Sequence, residues 1–231
     1  MEPPKITSPR PLVIGRIADH LTVQRPGHPL RVGIDGITAS GKTTFAAELV
    51  RAVRDRGRPV VEVSFDDYHH PRERRHRQGR ESADGYYEDA YDTEAVRREV
   101  LDRLVTEGVY RPRLRDLATD RPVPEELVRV APQTVVIAAG SFLQRPELAS
   151  GWDVIVYLDA SFEAARARGV ARDTELLGGP ERAARLFDER YHAACRRYLA
   201  EVDPRAHADV VVGHDDPTHP RLLRIADTPF E

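Results

Sequence analysis

The chain has 231 residues, enough to bury a full core as one domain, and its formal net charge of −3 excludes a global field that would recruit nucleic acid or anionic lipid. Cys195 is the single cysteine, which excludes an internal disulfide and favours a packing thiol. Since no stretch reaches the ~18 apolar residues of a membrane span and the first residues lack an apolar signal core, we expect a soluble cytoplasmic protein with no membrane partner.

In chain order, the first predicted unit is a proline-rich N-terminal lead-in, residues 1–29. It contains a short amphipathic stretch from Leu12 to Leu21. We expect this stretch to pack on the domain that follows, and it carries no visible chemistry.

The next unit is a strand, a glycine loop and a helix. Leu30–Asp35 predicts a buried strand and Thr43–Arg56 a helix, and between them Gly36–Thr43 reads GITASGKT. Lys42 is one of only two lysines in the chain. The glycines let backbone N–H groups turn toward an anion, the lysine supplies a point charge for β- and γ-phosphates, and the Thr43 hydroxyl can ligate magnesium.

An accidental match is the alternative interpretation of this loop, and the strand before it and the helix after it argue against an accident. The loop therefore predicts a binding site for a nucleoside triphosphate. The residues expected to contact the nucleotide are Gly36, Ile37, Thr38, Ala39, Ser40, Gly41, Lys42, Thr43 and Thr44.

Two adjacent carboxylates end the second predicted strand, Pro59–Phe65. Asp66 and Asp67 follow this strand directly, and in a parallel sheet that position lies beside the glycine loop. One carboxylate can accept a proton from an attacking hydroxyl and one can hold magnesium. A simple turn cap is the alternative role of Asp66, which we regard as less favoured beside a phosphate loop.

A basic run and a tyrosine cluster come next. Five arginines fall between Arg72 and Arg80, a pattern most typical of a solvated surface, with RNA binding as a second option. Farther on, we expect Tyr86 and Tyr87 to face a ligand. Tyr91 is expected in the core and Asp92 as a helix cap.

The rest of the chain alternates between strand and helix patterns, which predicts a mainly parallel five-stranded α/β sheet with helices on both faces. A β-hairpin flap over the acceptor site is one interpretation of the arginine- and proline-rich segment 110–132, and a surface excursion without function is the other. The remaining predicted strands are Thr134–Ala139, Asp153–Leu158 and Asp209–Val212, and the remaining helices are Thr93–Glu107, Phe162–Ala171 and Glu181–Ala200.

Four pieces in this order resemble the uridine kinase family of P-loop kinases, and within it the divergent uridine-kinase-like proteins of high-GC bacteria. The pieces are GITASGKT, SFDDY at Ser64–Tyr68, the arginines and aspartate of Arg168–Asp173, and ADVVV at Ala208–Val212. The resemblance runs from about Leu30 to Asp216. It implies a P-loop NTPase three-layer sandwich over residues 30–231, with a helical lid at about 168–190.

The resemblance also implies an activity, namely transfer of the γ-phosphate of ATP, with Mg²⁺, to a hydroxyl of a uridine- or cytidine-like nucleoside. By position, Asp66 matches the family's catalytic base and a magnesium contact, and Lys42 and Thr43 match its phosphate and magnesium contacts. Arg168 and Arg172 match the start of the lid. The residues expected on the acceptor are Asp67, Tyr68, His69, Tyr86 and Tyr87. Family members are often homo-oligomers, and a nucleic-acid partner is not expected.

Three departures from the family keep other interpretations open. Ala139 stands where the family has an acidic magnesium residue, so Asp67 or Asp35 would have to replace it. A further lid arginine is missing around 178–180, with Arg182 close by, and the ribose-binding aspartate falls near Tyr86. The alternatives are a kinase for another small alcohol, a nucleotide-binding regulatory protein with weak or no transfer, and a nucleic-acid-associated NTPase.

Overall fold

The structure is a computed structural model that describes residues 9–226. The strands are β1 Leu30–Gly36, β2 Val60–Ser64, β3 Val109–Tyr110, β4 Arg115–Asp116, β5 Arg121–Pro122, β6 Val128–Arg129, β7 Val135–Ala139, β8 Val154–Asp159, β9 Val210–Gly213 and β10 Arg221–Ile225. The helices are α1 Arg10–Val23, α2 Lys42–Asp55, α3 Arg72–Arg75, α4 Ala83–Asp89, α5 Thr93–Val96, α6 Arg103–Thr106, α7 Pro146–Ala149, α8 Phe162–Leu177, α9 Pro180–Leu186, α10 His192–Val202 and α11 Pro204–His207.

The main sheet has six strands in the order β10-β9-β8-β1-β7-β2. All neighbours are parallel except β10, which pairs antiparallel with β9. The five predicted strands are therefore confirmed, and the sheet has one edge strand more than predicted. Arg221 and Arg224 interrupt the apolar pattern of β10, and its residues are partly exposed, which is typical of an edge.

Helices cover both faces of this sheet, so the predicted three-layer architecture is confirmed. On one face, α1 and α2 bury Ile17, Phe45 and Leu49 against the inward side chains of the central strands. On the other face, a second cluster joins Phe65 and Leu101 to the strands and to α10. Successive side chains of a strand point to opposite faces, and this alternation divides the core into two layers.

The N-terminal stretch forms α1, which packs against α2 and buries Val13, Ile14, Ile17, Ala18 and Leu21. The first eight residues of the lead-in and the last five residues of the domain predicted for 30–231 lie outside the described part of the chain. Between residues 9 and 226, no helix has the length and apolar character to cross a membrane.

Three predicted helices differ in length or regularity. The helix that begins at Phe162 continues to Leu177, where Gly178 ends it in a left-handed conformation (φ 88°). The two long helices predicted at 93–107 and 181–200 each contain one wider π turn, at Arg97–Asp102 and Phe187–Tyr191. Such turns are often found beside functional sites, and the second one lies next to the site described below.

The predicted hairpin forms within residues 109–129 as two short antiparallel pairs, β3 with β6 and β4 with β5. Its inner part approaches the end of β2, where the Leu114 N–H donates to the Asp67 carbonyl over 3.0 Å. At its tip, the Asp120 carboxylate accepts from the backbone N–H of Arg72 over 3.0 Å. The hairpin therefore lies against the segment that follows β2.

Candidate active site

The glycine loop at Gly36–Thr43, called the phosphate loop below, joins the carboxyl end of β1 to the first turn of α2. A Cβ at Gly36 would lie 2.8 Å from the Leu158 carbonyl oxygen, so only glycine fits that approach. Gly41 has a φ of 98°. The backbone N–H groups of Gly41, Lys42 and Thr43 donate no hydrogen bond to other described residues. Free N–H groups at a helix start form a site for phosphate oxygens.

Lys42 lies across this loop. Its Nζ donates to the Gly36 carbonyl over 2.9 Å and to the Ile37 carbonyl over 2.8 Å. Burial lowers the pKa of Lys42, while the nearby carboxylates Asp35 and Asp66 oppose this shift. A triphosphate would supply anionic oxygens to the same ammonium, so the loop and its lysine fit the predicted nucleotide.

The other loop residues either pack in the interior or expose polar side chains. Ile37 joins the core, and Thr43 and Thr44 expose their side chains at the start of α2. Thr38 is held on both sides, because its carbonyl accepts from His192 Nε2 over 3.2 Å and its N–H donates to Cys195 Sγ over 3.4 Å. Cys195 is fully buried, as a packing thiol would be.

A buried polar network supports the loop from the sheet side. The Asp35 carboxylate accepts from Tyr198 Oη over 2.5 Å, from Gln144 Nε2 over 3.0 Å and from the Gly36 N–H over 2.8 Å. Burial raises the pKa of Asp35, and the Tyr198 and Gln144 hydrogen bonds oppose that rise. Because these bonds engage its oxygens, Asp35 positions the loop and is not free to replace the missing magnesium carboxylate.

Arg168 and His214 brace the loop from the opposite side. The Arg168 guanidinium donates to the Ala39 carbonyl over 3.3 Å and to the His214 carbonyl over 3.0 Å. His214 Nδ1 donates to the Ser40 carbonyl over 2.7 Å, which leaves Nε2 to accept from Arg10 Nη1 over 3.0 Å. Two of the three guanidinium nitrogens of Arg168 thus hold the loop, and its buried Nη2 has no partner among the described residues, so the phosphate contact of Arg168 stays a prediction.

Asp66 lies in the 3₁₀ turn after β2 with an exposed side chain. Tyr91 Oη donates to its Oδ1 over 3.3 Å. Tyr91 packs beside Tyr86 with ring centroids 6.5 Å apart, and the Tyr86 hydroxyl lies 3.2 Å from Thr38 Oγ1. The hydroxyl groups of Thr38, Tyr86 and Tyr91, which we call the hydroxyl chain, thus run from the phosphate loop to Asp66.

We expected Tyr91 to be a core residue without a contact in the site. It is buried, yet its hydroxyl contacts Asp66. The sequence signal was its place in the same tyrosine cluster as Tyr86. Asp92 caps α5 as predicted, accepting from the Ala95 N–H over 2.9 Å.

Of the five residues expected on the acceptor, Tyr86 is buried with its hydroxyl near Thr38, and the other four separate into two groups. Asp67 and His69 lie beside Asp66, in the region that we call the cleft. Arg113 lies 3.5 Å from the Asp67 carboxylate, and His69 Nδ1 donates to the Asp66 carbonyl over 2.7 Å. Burial raises the pKa of Asp67 and lowers that of His69. The His69 ring stacks on Tyr91 with centroids 4.4 Å apart.

Tyr68 and Tyr87 instead fill the interior. Tyr68 is fully buried and its hydroxyl donates to the Arg111 carbonyl. Tyr87 packs edge-on against Phe142, with the Arg145 guanidinium 4.8 Å above its ring. The structure therefore corrects the expectation for these two tyrosines, because packing contacts account for both.

The lid arginines also differ in placement. Arg172 on α8 is exposed, pairs with Asp173 over 2.7 Å and interacts electrostatically with Asp66. Its side chain therefore stays available to phosphate oxygens on the Asp66 side of the loop. Arg182, the expected substitute for the missing lid arginine, pairs with Glu81 over 3.0 Å.

The residues expected to bind magnesium, Thr43 and Asp66, both have exposed side chains. Ala139 ends β7 level with Ser64 of β2 and brings no ligand. Within residues 9–226, no group of three or more His, Cys, Asp or Glu side chains could hold a metal ion. Magnesium usually binds one or two protein ligands plus substrate phosphates and water, so this sparse set fits it.

No protein-family model matches the chain. The chain is 27% identical over 155 residues to a uridine kinase of Brevibacillus brevis, covering 66% of this chain and 70% of that protein. A solved structure described as a possible uridine kinase from Bacillus stearothermophilus has a TM-score of 0.69 and 27% identity, covering 86% of this chain and 96% of the other. D-glycerate 3-kinase from Cryptococcus neoformans has a TM-score of 0.55 and 11% identity, covering 84% and 88%.

These similarities confirm the predicted P-loop kinase fold and the resemblance to uridine kinases. The glycerate kinase shares the fold alone, and its name shows that the same architecture serves acceptors of different chemistry. The fold by itself therefore does not select an acceptor.

Proposed function

Because the chain has the P-loop kinase fold and resembles uridine kinases, we propose that it is an ATP-dependent phosphotransferase acting on a hydroxyl of a small molecule. The uridine kinase relatives make a uridine- or cytidine-like nucleoside the first acceptor to test. ATP and Mg²⁺ are the proposed cosubstrate and cofactor.

In this proposal, the acceptor hydroxyl gives its proton to the Asp66 carboxylate as its oxygen bonds to the γ-phosphorus. The bond from that phosphorus to the β–γ bridging oxygen breaks, and ADP leaves with its electron pair. Lys42 and Arg172 neutralise the charge on the transferred group. Magnesium held by Thr43 and Asp66 would shield the phosphate oxygens.

The observation that carries the proposal is the hydroxyl chain from Thr38 through Tyr86 and Tyr91 to Asp66. It holds an exposed carboxylate in a set position relative to the phosphate loop. Phosphoryl transfer depends mainly on positioning and charge neutralisation, and this arrangement supports both.

Ala139 favours a second candidate, a nucleotide-binding regulatory protein with weak or no transfer. To separate the two, the protein is incubated with magnesium-ATP and a panel of nucleosides and other small alcohols, and ADP release is followed. Acceptor-dependent ADP release supports the kinase. Tight ATP binding without turnover on any acceptor supports the regulatory protein.

The Asp66→Asn variant tests the proposed base. We expect acceptor-dependent turnover to fall by roughly 10²–10⁴-fold, because the amide cannot take the hydroxyl proton. ATP affinity, measured by calorimetry, should stay within about threefold, since the phosphate contacts lie on the loop.

Asp55→Asn is the charge-matched control, because Asp55 is exposed at the far end of α2. It should keep full turnover. Retained turnover in Asp66→Asn would place the base elsewhere, with Asp67 as the next candidate.

A further inference from the structure

A cavity of about 530 Å³ is lined in part by Arg190, whose guanidinium packs over the Tyr86 ring, and none of the residues proposed to contact phosphate lines it. Its walls come from three segments: the arginine run after β2, the tip of the hairpin and the lid. We call it the arginine cavity. Its lining residues are Arg72, Arg75, His76, Arg80, Glu81, Leu117, Leu176, Leu177, Arg182, Leu186, Arg190 and Tyr191.

The charge of this lining is strongly unbalanced, with five arginines against the single carboxylate of Glu81. That carboxylate is already 3.0 Å from Arg182, and Arg75 pairs with Asp120 over 3.4 Å. Within residues 9–226, Arg72, Arg80 and Arg190 form no ion pair with a carboxylate. The cavity therefore presents positive charge that the described part of the protein does not neutralise.

Two of these guanidinium groups also have unmet hydrogen-bonding capacity. The Nε atoms of Arg75 and Arg190 are buried and have no partner among the described residues. Burying a charged donor without a partner is costly, and an anion in the cavity would relieve that cost. Burial and the surrounding arginines also lower the pKa of His76, in keeping with a positive field here.

The arginine cavity lies close to the proposed acceptor side, because Arg75 and Arg190 help to lower the pKa of His69, which donates to the Asp66 carbonyl. The Arg190 guanidinium lies 5.2 Å from the centre of the Tyr86 ring and 4.9 Å from that of Tyr191. Tyr86 belongs to the hydroxyl chain that ends at Asp66. A small molecule whose hydroxyl faces Asp66 would therefore extend toward the arginines.

Two leucines mark the rim of the cavity. Leu176 of the lid is 86% exposed and Leu117 of the hairpin 40% exposed. These are two of the six large apolar side chains that are exposed among the described residues. A compact ligand between them would bury apolar surface of both segments.

We infer that the acceptor is a small alcohol carrying a phosphate or carboxylate group, which the arginine cavity binds while the hydroxyl faces Asp66. This inference rests on the proposed phosphotransfer. A neutral nucleoside would leave the guanidinium groups unpaired. A polynucleotide needs an extended basic surface with stacking rings, whereas this cavity has the volume of a small-molecule site.

The catalytic test compares matched acceptors that differ in charge. The pairs are glycerol with D-glycerate, glycerol with glycerol 3-phosphate, and ribose with ribose 5-phosphate, and uridine is the neutral reference. We expect kcat/KM at least tenfold higher for the anionic member of a pair. The glycerate and phosphate arms separate a carboxylate from a phosphate ester. A tenfold preference for uridine over every anionic acceptor would overturn the inference.

The binding test does not depend on turnover. Protein saturated with a non-hydrolysable ATP analogue is titrated with inorganic phosphate and, separately, with acetate, so that the loop is already filled. Arg190→Gln should weaken binding of the preferred anion at least tenfold, and Arg190→Lys less, because lysine keeps the charge and loses the planar fork.

Arg54→Gln on α2 is the charge-matched control and should stay within twofold, since Arg54 is exposed and does not line the cavity. If Arg190→Gln does not fold, Arg80→Gln serves instead, because Arg80 is exposed.

The two tests distinguish failure of the inference from failure of the proposed function. Anion binding that Arg190→Gln abolishes, without transfer to any acceptor, supports the anion site and rejects the kinase. Transfer with no anion binding rejects the anion site alone. If Arg190→Gln raises the KM for ATP and not that for the acceptor, the arginines bind ATP. If polynucleotides stimulate ATP hydrolysis by the wild type and not by this variant, the arginines bind nucleic acid. Either result overturns the inference.

Discussion

Ala139 occupies the end of β7 between Ile34 of β1 and Ser64 of β2, at the edge of the sheet where the phosphate loop begins. Asp35 does not take over that position, because its carboxylate is buried and bonded to Tyr198 and Gln144. The proposed magnesium site is therefore short of one carboxylate.

Ala139→Glu should restore this ligand. We expect the magnesium concentration for half-maximal turnover to fall severalfold, since each added carboxylate strengthens a hard-cation site. The measurement is turnover against magnesium concentration at saturating ATP. Ala139→Gln is the uncharged control. An equal effect of both variants would show that the added charge is not the cause, and no effect of either would show that another group already fills the position.

At the scale of elements, α8 crosses behind the phosphate loop and closely approaches it. A Cβ at Gly169 would lie 2.1 Å from Phe187 Cζ and 3.0 Å from Ala39 Cβ. Phe187 is fully buried at the π turn between α9 and α10. Helix α8, the π turn and the loop thus share one tightly packed contact.

Gly169→Ala should disturb that contact. Overpacking of this kind costs about 1–3 kcal/mol of the free energy of unfolding, measured by urea denaturation. ATP affinity should also fall, because Ala39 belongs to the loop. In the double variant Gly169→Ala/Phe187→Leu, loss of the ring atoms should recover part of both effects. If the double variant is no better than Gly169→Ala, the clash is not with Phe187.

At the scale of the whole molecule, three distant segments meet at His214. Arg10 of α1 donates to His214 Nε2 and also pairs with Glu48 of α2 over 2.6 Å. His214 Nδ1 donates to Ser40 of the loop. The first helix, the phosphate loop and the segment after β9 are thus coupled through one buried imidazole.

This coupling predicts a pH dependence of stability. Burial lowers the pKa of His214 to about 4, while a histidine in the unfolded chain titrates near 6.5. Between those values the unfolded chain binds the proton and the folded chain does not, so the free energy of unfolding falls as the pH is lowered from about 6.5 to about 4. The full loss from this residue is about 3 kcal/mol.

Urea denaturation of the wild type and of His214→Gln at several pH values between 7 and 4 measures how much of the pH-dependent free energy of unfolding comes from His214. The variant lacks the titrating ring, so its stability should decline less steeply with acidification. The wild type serves as the reference because His69, His70 and His192 also have lowered pKa values and titrate in both proteins. Equal slopes would contradict the assignment to His214.

Local pattern was enough to predict the five parallel strands, the phosphate loop and the position of Asp66, because hydrophobic periodicity and the glycine loop act over a few neighbouring residues. The edge strand β10 was missed, since arginines interrupt its apolar pattern.

The tertiary structure alone decided which side chains face the cleft. Tyr68 lies inside, Arg168 contacts the Ala39 carbonyl of the loop, and Tyr91 reaches Asp66. The arginine cavity likewise forms where three distant segments meet, whereas the run 72–80 alone is typical of a solvated surface. Burial and pairing depend on contacts between residues far apart in the chain, and sequence spacing does not encode those contacts locally.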